Sequence, residues 1–166
     1  WTANPVNRAP VIFAAANDGM LHAFSAASGE ELWSYIPTPV LPNLYKLADK
    51  NYVHQFYVDG TPEVGDFFDG TNWRTILVAG LNKGGKGYYA LDVTNPALPK
   101  VLWEFCESGC SQNNANLGYT YGNPVITKVA GQWKVLVTSG YNNADGKGYL
   151  WALDPLTGAP SFTMST

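Results

Sequence analysis

Four groups of residues in this 166-residue chain carry side chains that could do chemistry. The first is Gly80-Leu81-Asn82-Lys83-Gly84-Gly85-Lys86-Gly87, close to the loop whose backbone N–H groups and Lys cradle a nucleotide phosphate. That loop needs Ser or Thr after its Lys to hold Mg²⁺, and a helix to follow. Position 87 is Gly and Tyr88 to Val93 reads as a strand, so a glycine hairpin is expected. The second group, Asn142-Asn143-Ala144-Asp145-Gly146-Lys147-Gly148, has the flavour of a calcium loop, with Asn142, Asn143 and Asp145 as weak candidate ligands. An EF-hand-type loop spaces its oxygens differently and closes on a distal Glu. None is present, and Asn, Asp and Gly in succession are what a tight turn demands.

The third group, Asp59, Glu63, Asp66 and Asp69, could pair carboxylates for acid–base work, but its spacing suits a solvated strand face and turn. The fourth is Cys106 and Cys110, flanking a Ser-Gly turn. A structural disulfide is the favoured reading and suits a secreted protein. Free thiols or a metal pair are the alternatives. The spacing is not Cys-x-x-Cys, there is no second pair, and His22 and His54 lie far off in sequence. No Gly-x-Ser-x-Gly elbow occurs, and His22 is expected to be a buried or edge strand residue rather than a base. No residue emerges as catalytic or cofactor-binding, so the chain is read as non-enzymatic.

The elements that must position these residues repeat. Ala23-Phe24-Ser25-Ala26-Ala27-Ser28-Gly29 recurs as Ala90-Leu91-Asp92-Val93-Thr94-Asn95-Pro96 and as Ala152-Leu153-Asp154-Pro155-Leu156-Thr157-Gly158, at intervals of 67 and 62 positions. Gly60-Thr61-Pro62 and Gly122-Asn123-Pro124 keep time with it, each Pro 28 residues before its Ala. A fixed period of this size marks a repeat whose units cannot bury their apolar faces alone. Within a unit, short β-branched and aromatic runs are cut by Gly, Asn, Asp and Pro, as in antiparallel hairpins. Four such runs make a propeller blade.

The expected fold is therefore all-β: part of a β-propeller of four-stranded antiparallel blades. An incomplete blade spans 9–37, an insertion with room for one short helix over Pro42 to Asp49 spans 38–56, and a blade spans 57–106. A loop follows over 107–121, then a blade over 122–166 with its last strand truncated. A small self-closing β-sandwich is the alternative. The chain reads as a piece of a longer protein, and alone it would leave two blade faces and a sheet flank uncovered, which predicts poor solubility.

Composition narrows the partners. Ten scattered basic residues and a net charge of −3 argue against nucleic acid, and no apolar stretch is long enough to span a membrane. Aromatic content of 14% suits packed blade interfaces, and also a carbohydrate or protein binding surface.

Two resemblances follow from the motifs. Ala-x-Asp-x-x-Thr-Gly followed by an aromatic is similar to the tryptophan-docking repeat of quinoprotein dehydrogenases. It marks Ala23, Gly29, Trp33, Ala90, Asp92, Trp103, Ala152, Asp154 and Gly158 as blade-docking residues. Ser25 departs from the pattern in the first copy and Asn95-Pro96 in the second.

A closer match runs through Ala16-Asn17-Asp18-Gly19-Met20-Leu21-His22-Ala23-Phe24, Gly29 to Pro37, Val58 to Pro62, Trp73 to Val78 and Gly84 to Thr94. It continues through Leu102 to Phe105, Leu117 to Gly122 and Ser139 to Asn143. These segments resemble the C-terminal propeller of the PilC/PilY family of type IV pilus proteins. The resemblance implies a secreted Gram-negative protein, exported through the periplasm to the outer membrane, cell surface or pilus tip. It would sit on minor pilins, support pilus assembly, oppose retraction, and serve adhesion to a host-cell or abiotic surface and twitching motility. Family members carry a calcium loop beyond the matched segment, so Ca²⁺ belongs to the parent protein and no ligand carries over to a residue here. The other readings are a pyrroloquinoline-quinone dehydrogenase propeller and an envelope-assembly scaffold propeller. For the first reading, the insertion Thr38 to Gln55 and the loop Cys106 to Asn116 are the candidate contact surfaces.

Overall fold

Each copy of the repeated phrase folds into its own antiparallel sheet. The computed structural model describes residues 8–166. The first sheet has three strands in the order β1 (Val11–Ala15), β2 (Leu21–Ser25), β3 (Glu31–Tyr35). The second runs β4 (Glu63–Phe68), β5 (Trp73–Gly80), β6 (Gly87–Asp92), β7 (Lys100–Cys106) and β8 (Gln112–Asn113). The third has β9 (Val125–Val129), β10 (Gln132–Thr138), β11 (Tyr149–Leu153) and β12 (Pro160–Ser165) in the spatial order β9-β10-β11-β12.

Three details go beyond the sequence expectation. The last strand is formed and paired: β12 pairs with β11 from Leu153↔Pro160 to Tyr149↔Ser165, and the Ser161 hydroxyl adds a bond to the Ala152 carbonyl at 2.8 Å. The two-residue β8 runs parallel to β7 and has no β-propensity to announce it. The helix of the insertion is a 3₁₀ segment over Thr38–Ala48, longer than Pro42 to Asp49. Pro42 inside it lacks an N–H and clashes with the preceding turn, which disfavours α geometry and leaves the tighter form.

The repeated Ala has one structural meaning in all three sheets. Ala23 faces Trp33, Ala90 faces Trp103, and Ala152 faces Phe162 as register partners, and a bulge follows each Ala at once. The bulge adds one residue to the outer strand and re-aims the aromatic across the sheet. The residue two places after each Ala caps the following turn. Asp154 Oδ1 accepts from the N–H groups of Leu156 and Thr157, Asp92 Oδ1 from Thr94, and Ser25 Oγ from Ser28.

The two tryptophans among them then reach into the next sheet. The Trp33 indole N–H donates to the Pro96 carbonyl at 2.7 Å, and that of Trp103 to the Pro155 carbonyl at 3.0 Å. Two apolar layers fill the gaps between sheets. Leu21, Tyr57, Leu77, Ala79, Tyr89 and Leu91 pack toward the first sheet. Ile76, Val78, Tyr88, Trp103, Val135 and Trp151 pack toward the third. The period of 2 in β5 and β6 sends alternate residues to opposite layers, which is why the middle blade reads as a continuous apolar run.

The β9–β10 turn has Ala130 and Gly131 at φ 49° and 81°. A two-residue hairpin turn of this kind favours Asn-Gly. Ala130→Asn is expected to raise the unfolding free energy by about 1 kcal/mol, since Asn tolerates the left-handed region and Ala does not. A urea midpoint that fell on this change would contradict it.

Strand direction divides the connections between two ends. The insertion, the β5–β6 and β10–β11 loops and the Cys106 loop share one end. The β4–β5 and β9–β10 hairpin turns and the capped turns after β6 and β11 share the other.

Candidate binding cleft at the insertion end

The insertion and the disulfide loop, far apart in sequence, converge on one cleft of about 740 Å³, with the glycine hairpin between them. What fixes the insertion is a buried carboxylate. Glu104, on β7 between Trp103 and Phe105, is 7% exposed. Its Oε1 accepts from the Tyr35 hydroxyl at 2.6 Å and from the Thr38 N–H at 2.7 Å, so the end of β3 and the first residue of the 3₁₀ segment are tied to the middle blade. Burial, reinforced by this carboxylate, pushes the Tyr35 phenol far above its ordinary pKa, so it stays a donor. At the far end of the insertion, the buried Tyr57 donates its N–H to Asn17 Oδ1 and its hydroxyl to the Asn43 carbonyl, both at 3.0 Å.

The glycine hairpin is a wall, not a phosphate cradle. A Cβ on Gly84 would lie 1.7 Å from the Tyr57 carbonyl oxygen, so this backbone is closed against the insertion. The Leu81 N–H donates to the Gly87 carbonyl at 3.0 Å and to Thr120 Oγ1 at 2.9 Å, and β6 follows where a nucleotide loop would need a helix. Lys83 Nζ sits 4.6 Å above the Phe56 ring, and Lys86 pairs with Glu107 at 2.7 Å, linking the hairpin to the disulfide loop.

Cys106 and Cys110 are joined by a disulfide. Around it the Ser111 hydroxyl donates to the Glu104 carbonyl and accepts from the Glu104 N–H, both at 2.9 Å, and the Asn114 N–H donates to the Cys106 carbonyl at 2.8 Å. The loop is therefore held on the strand that carries the Glu104 clamp. The mouth of the cleft is aromatic. Tyr141 lies 5.3 Å from Tyr119 and 5.5 Å from Tyr121 between ring centroids, and is 56% exposed.

Asn142, Asn143 and Asp145 lie in the β10–β11 loop beside this mouth, where their oxygens serve the turn. Asn143 Oδ1 accepts from Gly146 N–H, Asp145 Oδ1 from Lys147 N–H, and Asp145 Oδ2 from the Tyr149 hydroxyl. Asn142 takes a φ of 63°. A lone carboxylate with both oxygens engaged does not fit the six to eight oxygens that Ca²⁺ takes. The acidic group also departs from a solvated face. Asp66 accepts from Thr75 Oγ1, and Asp69 accepts from the N–H groups of Thr71 and Asn72 and pairs with Arg74. The N–H bonds of its own turn, Asn72 foremost, hold the Asp69 carboxyl down to about 2.

His22 is neither buried nor at an edge. It lies on the central strand of the first sheet, with Nδ1 2.7 Å from Glu31 Oε1 and Nε2 2.9 Å from Asp18 Oδ2. The Glu31 bond, with Asp18 behind it, raises its pKa despite partial burial. A raised folded value stabilises the protein below the ordinary value of about 6.5, and that contribution is lost as pH climbs through the raised one. An NMR titration is expected to place His22 above 6.5, and Glu31→Gln to bring it back down. An unshifted His22 would show the pair to be absent in solution.

Sequence reasoning did not find Glu104 or the tyrosine stack. A single carboxylate inside an apolar strand was the available signal for the first. The second had none, since Tyr119, Tyr121 and Tyr141 come from two separate loops.

Consecutive, mainly antiparallel sheets of three, five and four strands, the first two each locked to the next by a tryptophan at a bulge, define the class: a tryptophan-docked β-propeller. The chain belongs to the PilY1 β-propeller domain family, whose sequence model matches residues 2–164. It is 44% identical over 156 residues to the type IV pilus biogenesis factor PilY1 of Pseudomonas aeruginosa PAO1, covering 92% of this chain and 13% of that protein. It is 40% identical over 160 residues to a PilY1 homolog of Xylella fastidiosa, covering 95% of this chain and 13% of that one. The crystal structure of the P. aeruginosa PilY1 C-terminal domain superposes with a TM-score of 0.78 at 38% identity, over 96% of this chain and 31% of that domain. The chain thus spans about an eighth of the relatives' length. Among the described residues no helix is long and apolar enough to cross a membrane.

Proposed function

We propose that this segment is a rigid, non-catalytic binding platform of a type IV pilus biogenesis protein, and that its insertion-end cleft receives a loop of a minor pilin at the pilus tip. The protein carrying it would work outside the cell, after export through the periplasm, supporting pilus assembly against retraction and serving adhesion and twitching motility. The observation that carries the reading is the convergence of the insertion and the disulfide loop on one cleft with an exposed tyrosine mouth. Tyrosine offers a large, stiff contact area at low entropic loss, and loops on a rigid scaffold are where binding concentrates. The names of the relatives supply the pilus context.

The test is genetic. Deleting the parent gene is expected to remove sheared surface pili, and deleting the retraction motor as well is expected to restore them. Restoring the gene with Tyr141→Ser and Lys83→Glu should reproduce the loss at normal protein level. Unchanged pili in both backgrounds would sink the pilus reading. A bound chromophore or dye-linked alcohol oxidation after adding pyrroloquinoline quinone and Ca²⁺ to the purified parent would overturn its non-catalytic part.

A further inference from the structure

Three residues that line the insertion-end cleft, Glu107, Ser108 and Gly109, are the three enclosed by the Cys106–Cys110 disulfide. Little else holds this stretch of wall. The Glu107 N–H donates to the Lys86 carbonyl at 3.0 Å, and the Glu107 carboxylate pairs with Lys86. That side chain is 41% exposed, and an ion pair so open to water contributes little. Ser108 and Gly109 are exposed, and their N–H groups have no hydrogen-bond partner among the described residues.

The two ends of the ring are held without the sulfurs. Cys106 is the last residue of β7 and pairs with Gly87 of β6. Just past Cys110, the Ser111 hydroxyl is bonded to both backbone groups of Glu104. The bond therefore joins a strand end to its own adjoining loop, and no two layers of the core depend on it. A ring this short also restricts the unfolded chain far less than a long one, so its opening costs the fold as a whole little. The thiol form has acceptors in place. Cys106 Sγ lies 3.1 Å from the Ser108 carbonyl oxygen, and Cys110 Sγ lies 3.3 Å from that of Gln112 and 3.4 Å from that of Glu104. Either S–H would find a partner, so neither form orphans a donor. The sulfurs differ in access: Cys106 is 1% exposed, whereas Cys110 is half-buried and follows the exposed Ser108 and Gly109.

From this we infer that the Cys106–Cys110 disulfide is a redox switch on the insertion-end cleft. Oxidised, it sets the wall that a partner meets; reduced, the wall is loose and the cleft incomplete, while the blades stay folded. The inference rests on the reading of this cleft as a binding site. The reductant is a dithiol. One of its thiolates attacks the accessible Cys110 sulfur, the bond to Cys106 breaks, and Cys106 leaves with the electron pair and takes up a proton. The second thiol then attacks the mixed disulfide, Cys110 leaves and is protonated, and the dithiol departs as its own disulfide. Two electrons and two protons pass to the protein.

The full-length protein would be treated with dithiothreitol and followed by thiol-specific alkylation, hydrogen exchange and binding to purified minor pilin of the same organism. Reduction is expected to open the bond in the folded protein and to cut protection at the Glu107 and Cys110 amides roughly tenfold or more, with β5 and β6 unchanged. The pair Cys106→Ser with Cys110→Ser is expected to show the reduced form's exchange from the outset and no further response at these amides. Any effect of dithiothreitol that persists in the pair then belongs to other cysteines of the protein. Minor pilin should bind the oxidised form roughly tenfold more tightly than the reduced one, and reoxidation should restore it. A bond that resists dithiothreitol, exchange at these amides that ignores reduction, or loss of β5 and β6 protection alongside them would each overturn the switch. Equal pilin binding by both forms would overturn it too. Pilin that binds neither form, with the exchange change intact, would uphold redox control of the wall and remove only the pilin reading, so the two failures are distinct.

Discussion

Trp103→Ala is expected to lower the unfolding free energy of the propeller by about 4 kcal/mol, the range for a fully buried large aromatic. Trp103 is 1% exposed and sits between the second and third sheets. Its ring covers Gly158 so closely that a Cβ there would lie 2.6 Å from Trp103 Cγ, at a φ of 70° that a side chain resists anyway. Its indole N–H satisfies the Pro155 carbonyl, so truncation opens a cavity and orphans an acceptor together. Trp103→Phe keeps most of the area and loses the bond, at about 1 kcal/mol or somewhat more. Trp33 makes the same bond from a half-buried position, so Trp33→Ala is expected to fall below Trp103→Ala. Urea unfolding of the intact protein checks the order. Hydrogen exchange should show β9 to β12 losing protection before β4 to β7 in Trp103→Ala, since the lost contact joins those units. A change under about 1 kcal/mol for Trp103→Ala would mean that the sheets are not held together through this residue.

The repeat made the architecture legible because one physical device recurs. Ala opposite an aromatic, a bulge after it and a capping Asp or Ser two places on are all encoded in adjacent letters. The departures from the pattern were tolerable for local reasons: Ser25 caps its turn as Asp154 does, and Pro96 offers the carbonyl that Trp33 needs. Where meaning depended on distant partners, the letters said little. His22 reads as an ordinary strand residue until the β2–β3 pairing brings Glu31 beside it. Asp69 looks solvated until Arg74 and its own turn close on it. Trp73 and Trp133 lie 60 positions apart, and only the packing of the second sheet on the third shows that their rings meet. The strand β8 depends on the Ser111 and Asn113 side chains rather than on propensity, which is why no pattern marked it.

Glu104→Ala is expected to cost about 2 kcal/mol, because it leaves the Tyr35 hydroxyl and the Thr38 N–H without their acceptor at a half-buried site. The loss should be local as well as large. The clamp holds the entry to the insertion, whereas the apolar layers on either side of β6 do not involve the carboxylate. Exchange protection over Thr38–Ala48 is therefore expected to fall further than that of β5 and β6. Glu104→Gln keeps one carbonyl acceptor and should fall between the wild type and Glu104→Ala. Tyr35→Phe in the Glu104→Ala background should recover part of the loss, since it removes one of the orphaned donors; the two changes share a contact and will not add. The consequence for binding follows from the same geometry. The insertion is one wall of the cleft and the loop held by Ser111 on the Glu104 backbone is another, so one side chain sets the distance between the two. Glu104→Gln should thus weaken any partner of that cleft while leaving exchange protection of the β9–β10 hairpin, at the opposite end, unchanged. Equal loss of protection in that hairpin would mean that Glu104 acts on the stability of the whole fold rather than on the placement of the insertion.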